Sequence, residues 1–172
     1  YTGERLLAAP AIRPDVCVIH AEAADEHGNV LAPSTKDFLF DADANIARAT
    51  ALADEAAAAG ARLVALPEYL QFRGSDEGSR ASARPIPGPH TDAFADVARR
   101  RDAWILVGST AETSGDPARP YNTSTLIAPD GSIAATYRKI HLFDVAVERG
   151  PVDTESDRVT PGSGPVVTAV DG

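Results

Sequence analysis

Cysteine is almost missing from this sequence. Its 172 residues include one, Cys17, alongside four scattered histidines. A single cysteine excludes an internal disulfide, and this set offers no zinc-ligand spacing, so neither staple is expected and stability must come from packing. Long apolar runs are also lacking, since charge or proline interrupts each stretch before a bilayer span is reached, and no basic-then-apolar leader opens the sequence. The expectation is a soluble, cytoplasmic protein without a membrane partner. Positive charge is scarce: 25 acids against 16 bases give a net charge of −9. Arg99-Arg100-Arg101 is the one basic cluster, and it falls at the end of an expected helix, where cations suit the dipole. A nucleic-acid partner is not expected, because no basic face with interleaved aromatics is present. Lysine is rarer still, with Lys36 and Lys139 against fourteen arginines. Where arginine serves as the generic cation, a lysine directly after Arg138 hints that a compact ammonium is wanted there.

The length fits one domain or part of a larger one, and the 44 % apolar share is that of a globular protein. Residues 13–21 read as a short buried strand, followed by a polar turn over 25–30. Residues 45–60 are alanine-dense, with Ile46, Ala49, Leu52, Ala53, Ala56 and Ala57 on one helical face and Gly60 placed to end the helix. Residues 61–66 form an apolar strand stopped by Pro67. A loop is expected over about 71–89, because Pro85, Pro87 and Pro89 oppose regular structure. Thr91 is the expected cap of a helix over 92–101. Strands follow over 104–109 and 123–128, then a Pro129-Asp130-Gly131 turn and a returning strand over 132–138. Buried strands alternating with helices make this an α/β chain.

Two phrases carry candidate chemistry. Leu63-Val64-Ala65-Leu66-Pro67-Glu68-Tyr69 sets a carboxylate at the C-terminal end of an apolar strand, the edge where open α/β sheets place ligands. Tyr137-Arg138-Lys139-Ile140-His141-Leu142-Phe143-Asp144 sets a lysine beside a histidine. Without further context Glu68 is a strand-end acid facing water and Lys139 a solvated strand-end cation. Cys17, midway through an apolar run, reads as a buried, inert core thiol.

From about residue 44 the order and wording resemble the first half of the α-β-β-α sandwich of the nitrilase, or carbon-nitrogen hydrolase, superfamily, and Ile140–Asp144 is closer to its omega-amidase-like branch than to true nitrilases. The resemblance implies hydrolysis of a small amide or nitrile through a cysteine thioester, without cofactor or metal. It implies that Glu68 is the general base, its pKa raised by burial, and that Lys139 stabilises the tetrahedral anion. Glu155 matches a second glutamate that holds the lysine and substrate. His141 is assigned a structural hydrogen bond and Tyr121-Asn122-Thr123 strand support. No cysteine follows either phrase, and the resemblance puts the nucleophile in a strand beyond Gly172. A first central strand before residue 45 is also implied, with Phe38-Leu39-Phe40 as its candidate.

Residues 1–43 (Thr2-Gly3-Glu4-Arg5 onward, through Ile19-His20-Ala21 and Asp25-Glu26-His27-Gly28-Asn29) resemble the alpha-type half of a family I CoA-transferase, without its catalytic glutamate. The expected organisation is therefore a CoA-transferase-like fragment over 1–43 and the N-terminal part of a carbon-nitrogen hydrolase domain over 44–172. The alternatives are a CoA-transferase-related binding piece and a non-catalytic α/β fusion product. Unpaired sheet edges and the habit of nitrilase relatives add a possible homo-oligomer.

Overall fold

A computed structural model describes residues 41–146 and 152–170, together with the backbone of three two-residue strands nearer the start. The chain is α/β. Its elements run β1 (Val16–Cys17), β2 (Ala23–Ala24), β3 (Val30–Leu31), α1 (Ala42–Ala58), β4 (Leu63–Ala65), α2 (Asp76–Ser82), α3 (Pro89–Arg101), β5 (Trp104–Glu112), β6 (Tyr121–Ile127), β7 (Ile133–Arg138), β8 (Asp144–Ala146) and β9 (Val152–Thr154). A short 3-10 turn, Glu155–Asp157, follows β9.

The main sheet has the order β1-β4-β5-β6-β7. β1, β4 and β5 are parallel, and β6 is antiparallel to both β5 and β7. It follows that β4, β5 and β7 point the same way and their C-terminal ends share one edge. The strand beside β4 is thus β1, from the opening segment, with Val16 opposite Val64 and Cys17 opposite Ala65. The stretch 38–40, expected in that role, lies outside the described residues, as does the side chain of Cys17.

Helices α1 and α3 pack on each other and against β4 and β5. Their apolar faces meet Val64, Ile105, Val107 and Ile127 in one core that includes Ile46, Ala53, Ala57, Phe94, Val97 and Ala98. The six-residue face expected on α1 is the one turned inward, Leu52 and Ala49 lying at its half-buried margin. Asp41 caps this helix, its carboxylate accepting from the Ala44 N–H at 3.0 Å. Gly60, at φ +107, turns the chain out of it. The arginine run closes α3 as expected and is used internally: Arg100 and Arg101 donate to Asp54 of α1 at 2.9 and 2.7 Å. The bonds from Arg101 and then Arg100 hold the Asp54 carboxyl down to about 2.

Three expectations are corrected. The span 71–89 contains α2, because the prolines all lie beyond its end and Ser75 caps its start, accepting from the Gly78 N–H at 3.1 Å. Helix α3 begins at Pro89, where a missing N–H costs nothing. Thr91 is therefore inside the first turn, its hydroxyl accepting from the Gly88 N–H at 2.9 Å. The hairpin of β8 and β9 was not foreseen, since three-residue strands carry too little periodicity to be read.

Candidate active site

Three expected residues, far apart in sequence, meet at one sheet edge. The Lys139 ammonium lies 3.1 Å from Glu68 Oε1 and 2.9 Å from Glu155 Oε2.

Glu68 arrives there through a built turn. After β4, the Ser109 N–H donates to the Pro67 carbonyl at 3.2 Å, the Tyr69 N–H to Ser109 Oγ at 2.9 Å and the Leu70 N–H to the Ser109 carbonyl at 3.1 Å. This close approach requires glycine at 108, where a Cβ would fall 1.8 Å from the Leu66 carbonyl oxygen. The register between β5 and β6 shifts at the same place, between Val107 and Thr110. Tyr69 takes a left-handed backbone conformation, φ +52, which is uncommon outside glycine and is found at functional turns.

Lys139 directly follows β7. Its N–H donates to the Asn122 carbonyl at 2.9 Å and its carbonyl accepts from the Gly162 N–H at 2.8 Å. Asn122 also donates through Nδ2 to Glu68 Oε1 at 2.6 Å, so it belongs to the site as well as to the strand. Glu155 follows β9, whose pairing of Asp144 with Thr154 brings it beside Phe143. The Phe143 N–H donates to Glu155 Oε2 at 2.6 Å and the Tyr69 hydroxyl to Oε1 at 2.9 Å.

The two acids sit in opposite environments. The Glu155 side chain is only 5 % exposed. Burial works to raise its pKa, but the Phe143 N–H, the Lys139 ammonium and the Tyr69 hydroxyl outweigh it and the net direction is down. Glu68, expected to be buried, is instead 55 % exposed. It stands at the mouth of a cavity of about 420 Å³ that Tyr69, Lys139, Phe143 and Glu155 also line. Lys139 is pulled down by burial and pushed up by Glu155 and Glu68, and the upward effects win. His141, given a structural bond by the sequence, is exposed. Among the described residues no group of three or more His, Cys, Asp or Glu is arranged to hold a metal ion, and no helix is long and apolar enough to cross a membrane.

A fixed, ionised Glu155, a cation between two carboxylates and an exposed Glu68 form an arrangement able to accept a proton and stabilise an anion in one cavity. A model of the carbon-nitrogen hydrolase family matches residues 30–172. The chain belongs to the carbon-nitrogen hydrolase family. It is similar to the omega-amidase NIT2 of Homo sapiens, with 36 % identity over 118 residues, 69 % of this chain and 42 % of that protein. Among solved structures it resembles the NitFhit protein of C. elegans, at 25 % identity and a TM-score of 0.63 over 73 % of this chain and 32 % of that one. XC1258 of Xanthomonas campestris, a CN-hydrolase superfamily protein, is 30 % identical, with a TM-score of 0.52 over 61 % of this chain and 37 % of the other. The chain thus spans less than half the length of the relatives it matches. The family match begins at residue 30, inside the stretch that resembles a CoA-transferase, and that second resemblance gains no support from these matches.

Proposed function

We propose that these residues form the glutamate and lysine part of an amidase site that hydrolyses a small carboxamide, of the omega-amidase-like branch, through a cysteine thioester. The observation that carries the reading is the Glu68–Lys139–Glu155 cluster lining a cavity sized for a small molecule. In the proposed reaction Glu68 takes the thiol proton, and the thiolate attacks the amide carbon. The Lys139 ammonium stabilises the oxyanion, and collapse expels ammonia with the proton returned by Glu68. Water, deprotonated by Glu68, then cleaves the thioester to release the acid. Glu155 takes no proton in this scheme: three donors hold it ionised, and it fixes Lys139. Glu68 suits the proton-transfer role because it is exposed and both of its hydrogen bonds fall on Oε1.

The nucleophile is proposed to be a cysteine outside these 172 residues, since the one they contain, Cys17, is paired in register with Ala65, three positions short of Glu68. The hydrolase part is proposed to begin before residue 44, which the match from residue 30 and the pairing of β1 with β4 both support. A cytoplasmic location belongs to the same proposal.

The test is ammonia release from short carboxamides by a longer polypeptide that carries the cysteine-bearing strand. Glu68→Gln and Lys139→Ala should each lower kcat/KM by roughly 100-fold or more. Near-normal activity in either variant would overturn the reading.

A further inference from the structure

We propose that Glu112 and Arg138 form a clamp that positions Lys139, acting from the opposite face of the sheet; this rests on the reading of Lys139 given above. Glu112 is the last residue of β5 and its side chain is only 6 % exposed. Arg138, the last residue of β7, grips it with two parallel bonds, Nε to Oε2 at 2.7 Å and Nη2 to Oε1 at 2.6 Å. Thr123 of β6 adds a third, its hydroxyl donating to Oε2 at 2.7 Å. The Arg138 guanidinium also lies over the Tyr121 ring, 4.3 Å from its centroid. Three strands are thereby tied together at the edge that carries the site.

Alternation along the strands divides the two clusters. Glu112 is opposite Tyr121, and Thr123 opposite Arg138, so these four side chains share a face. Asn122, between Tyr121 and Thr123, projects to the other face and reaches Glu68 there. The backbone of the next residue after Arg138 is Lys139, held by the Asn122 carbonyl and the Gly162 N–H. Fixing Arg138 therefore fixes the origin of the Lys139 side chain and its register with Asn122.

The choice of a charged pair supports a positioning role. Burying a carboxylate against a guanidinium stabilises a fold no better than apolar residues of the same size, but its bidentate geometry admits one arrangement only. An apolar contact at this place would tolerate sliding of the last rung of β7. A slide of about 1 Å is enough to cost a catalytic group much of its effect.

The test reads Lys139 directly, without any assay of activity. The folded 172-residue chain is exposed to trace acetic anhydride at about pH 8, well below the ordinary lysine pKa, so the rate follows the free-amine fraction. Lys139 acetylation is measured by peptide mass spectrometry against added Nα-acetyl-lysine. In Glu112→Gln and Arg138→Met, a displaced Lys139 loses contact with Glu155 and Glu68, and its rate should rise by about two- to fivefold, as when an ion pair at a partly exposed site is lost. Thr123→Val, which removes one bond and keeps the volume, should give a smaller rise and serves if the other variants do not fold. A purely structural pair would lower the melting temperature and leave the Lys139 rate unchanged in every folded variant, and that result overturns the proposal. Failure of the functional reading would look different: Lys139→Ala in the longer polypeptide that carries the cysteine-bearing strand would retain ammonia release, whatever the labelling shows.

Discussion

The Tyr69 hydroxyl donates to Glu155 Oε1 at 2.9 Å, joining the residue next to Glu68 to the carboxylate that holds Lys139. One left-handed residue thus serves both acids, its backbone turning Glu68 toward the cavity and its side chain anchoring Glu155. Burial, followed by the charge of Glu155, pushes the Tyr69 phenol far above its ordinary value. In a spectrophotometric titration to about pH 12, past the ordinary phenol pKa near 10, Tyr69 should stay protonated while the chain is folded. Tyr69→Phe should remove that silent phenol and cost about 1–2 kcal/mol in urea unfolding, because a buried carboxylate oxygen loses its donor. Loss of one ionising phenol on going to Tyr69→Phe would contradict the silent phenol, because a residue that does not titrate leaves the count unchanged when it is removed.

Gly108 should accept no side chain. A Cβ there meets backbone oxygen of Leu66 and Pro67, which cannot move aside without breaking the turn that carries Glu68. Gly108→Ala should destabilise the chain by about 3 kcal/mol. Gly115→Ala, where nothing lies within 4 Å, is the control and should change little. Equal urea midpoints for the two variants would refute the close approach.

Stability should fall in mild acid through His90. This residue is buried at the start of α3, and both ring nitrogens lack a hydrogen-bond partner. Burial and the nearby Arg84 charge lower its pKa, with Asp43, 4.0 Å from Nε2, opposing them weakly. A depressed histidine is neutral when folded and protonates more readily when unfolded, so the unfolded state takes up the extra proton. Stability should therefore decline as pH drops below about 6.5, the unfolded value, down to the lower folded value. Melting curves at several pH values on either side of about 6.5 should show a smaller acid loss in His90→Leu than in the parent chain. Parallel losses would mean that carboxylates alone set the acid sensitivity.

Much of this was legible in the sequence, and the omissions have physical causes. The helix over 45–60, the strands that lead to Glu68 and Lys139 and the 129–131 turn all carry periodicity or turn chemistry. Lys139 stood out because arginine supplies nearly every other cation. Tyr69 and Asn122 did not, since their roles depend on partners 86 and 54 positions away. The burial of Glu68 was misjudged because the strand before it is apolar, yet three residues past the end of β4 the chain has already left the core. The clamp of Glu112 and Arg138 was invisible for a similar reason: its two charges lie 26 positions apart and meet only through the register of three strands.

A polypeptide of these 172 residues alone should release no measurable ammonia from short dicarboxylic acid monoamides. Glu68 and Lys139 can accept a proton and stabilise an anion, but without a thiolate at the cavity there is no covalent route, and loss of one member of such a unit forfeits most of the joint effect. Cys17 is the one candidate within the chain, and Cys17→Ser tests it. Four polypeptides decide the matter: the 172-residue chain, its Lys139→Ala and Cys17→Ser variants, and the longer form with the cysteine-bearing strand. Ammonia from the longer form alone agrees with the proposed division of the site. Activity in the short chain that Lys139→Ala abolishes would refute this prediction, and its loss in Cys17→Ser as well would identify Cys17 as the nucleophile.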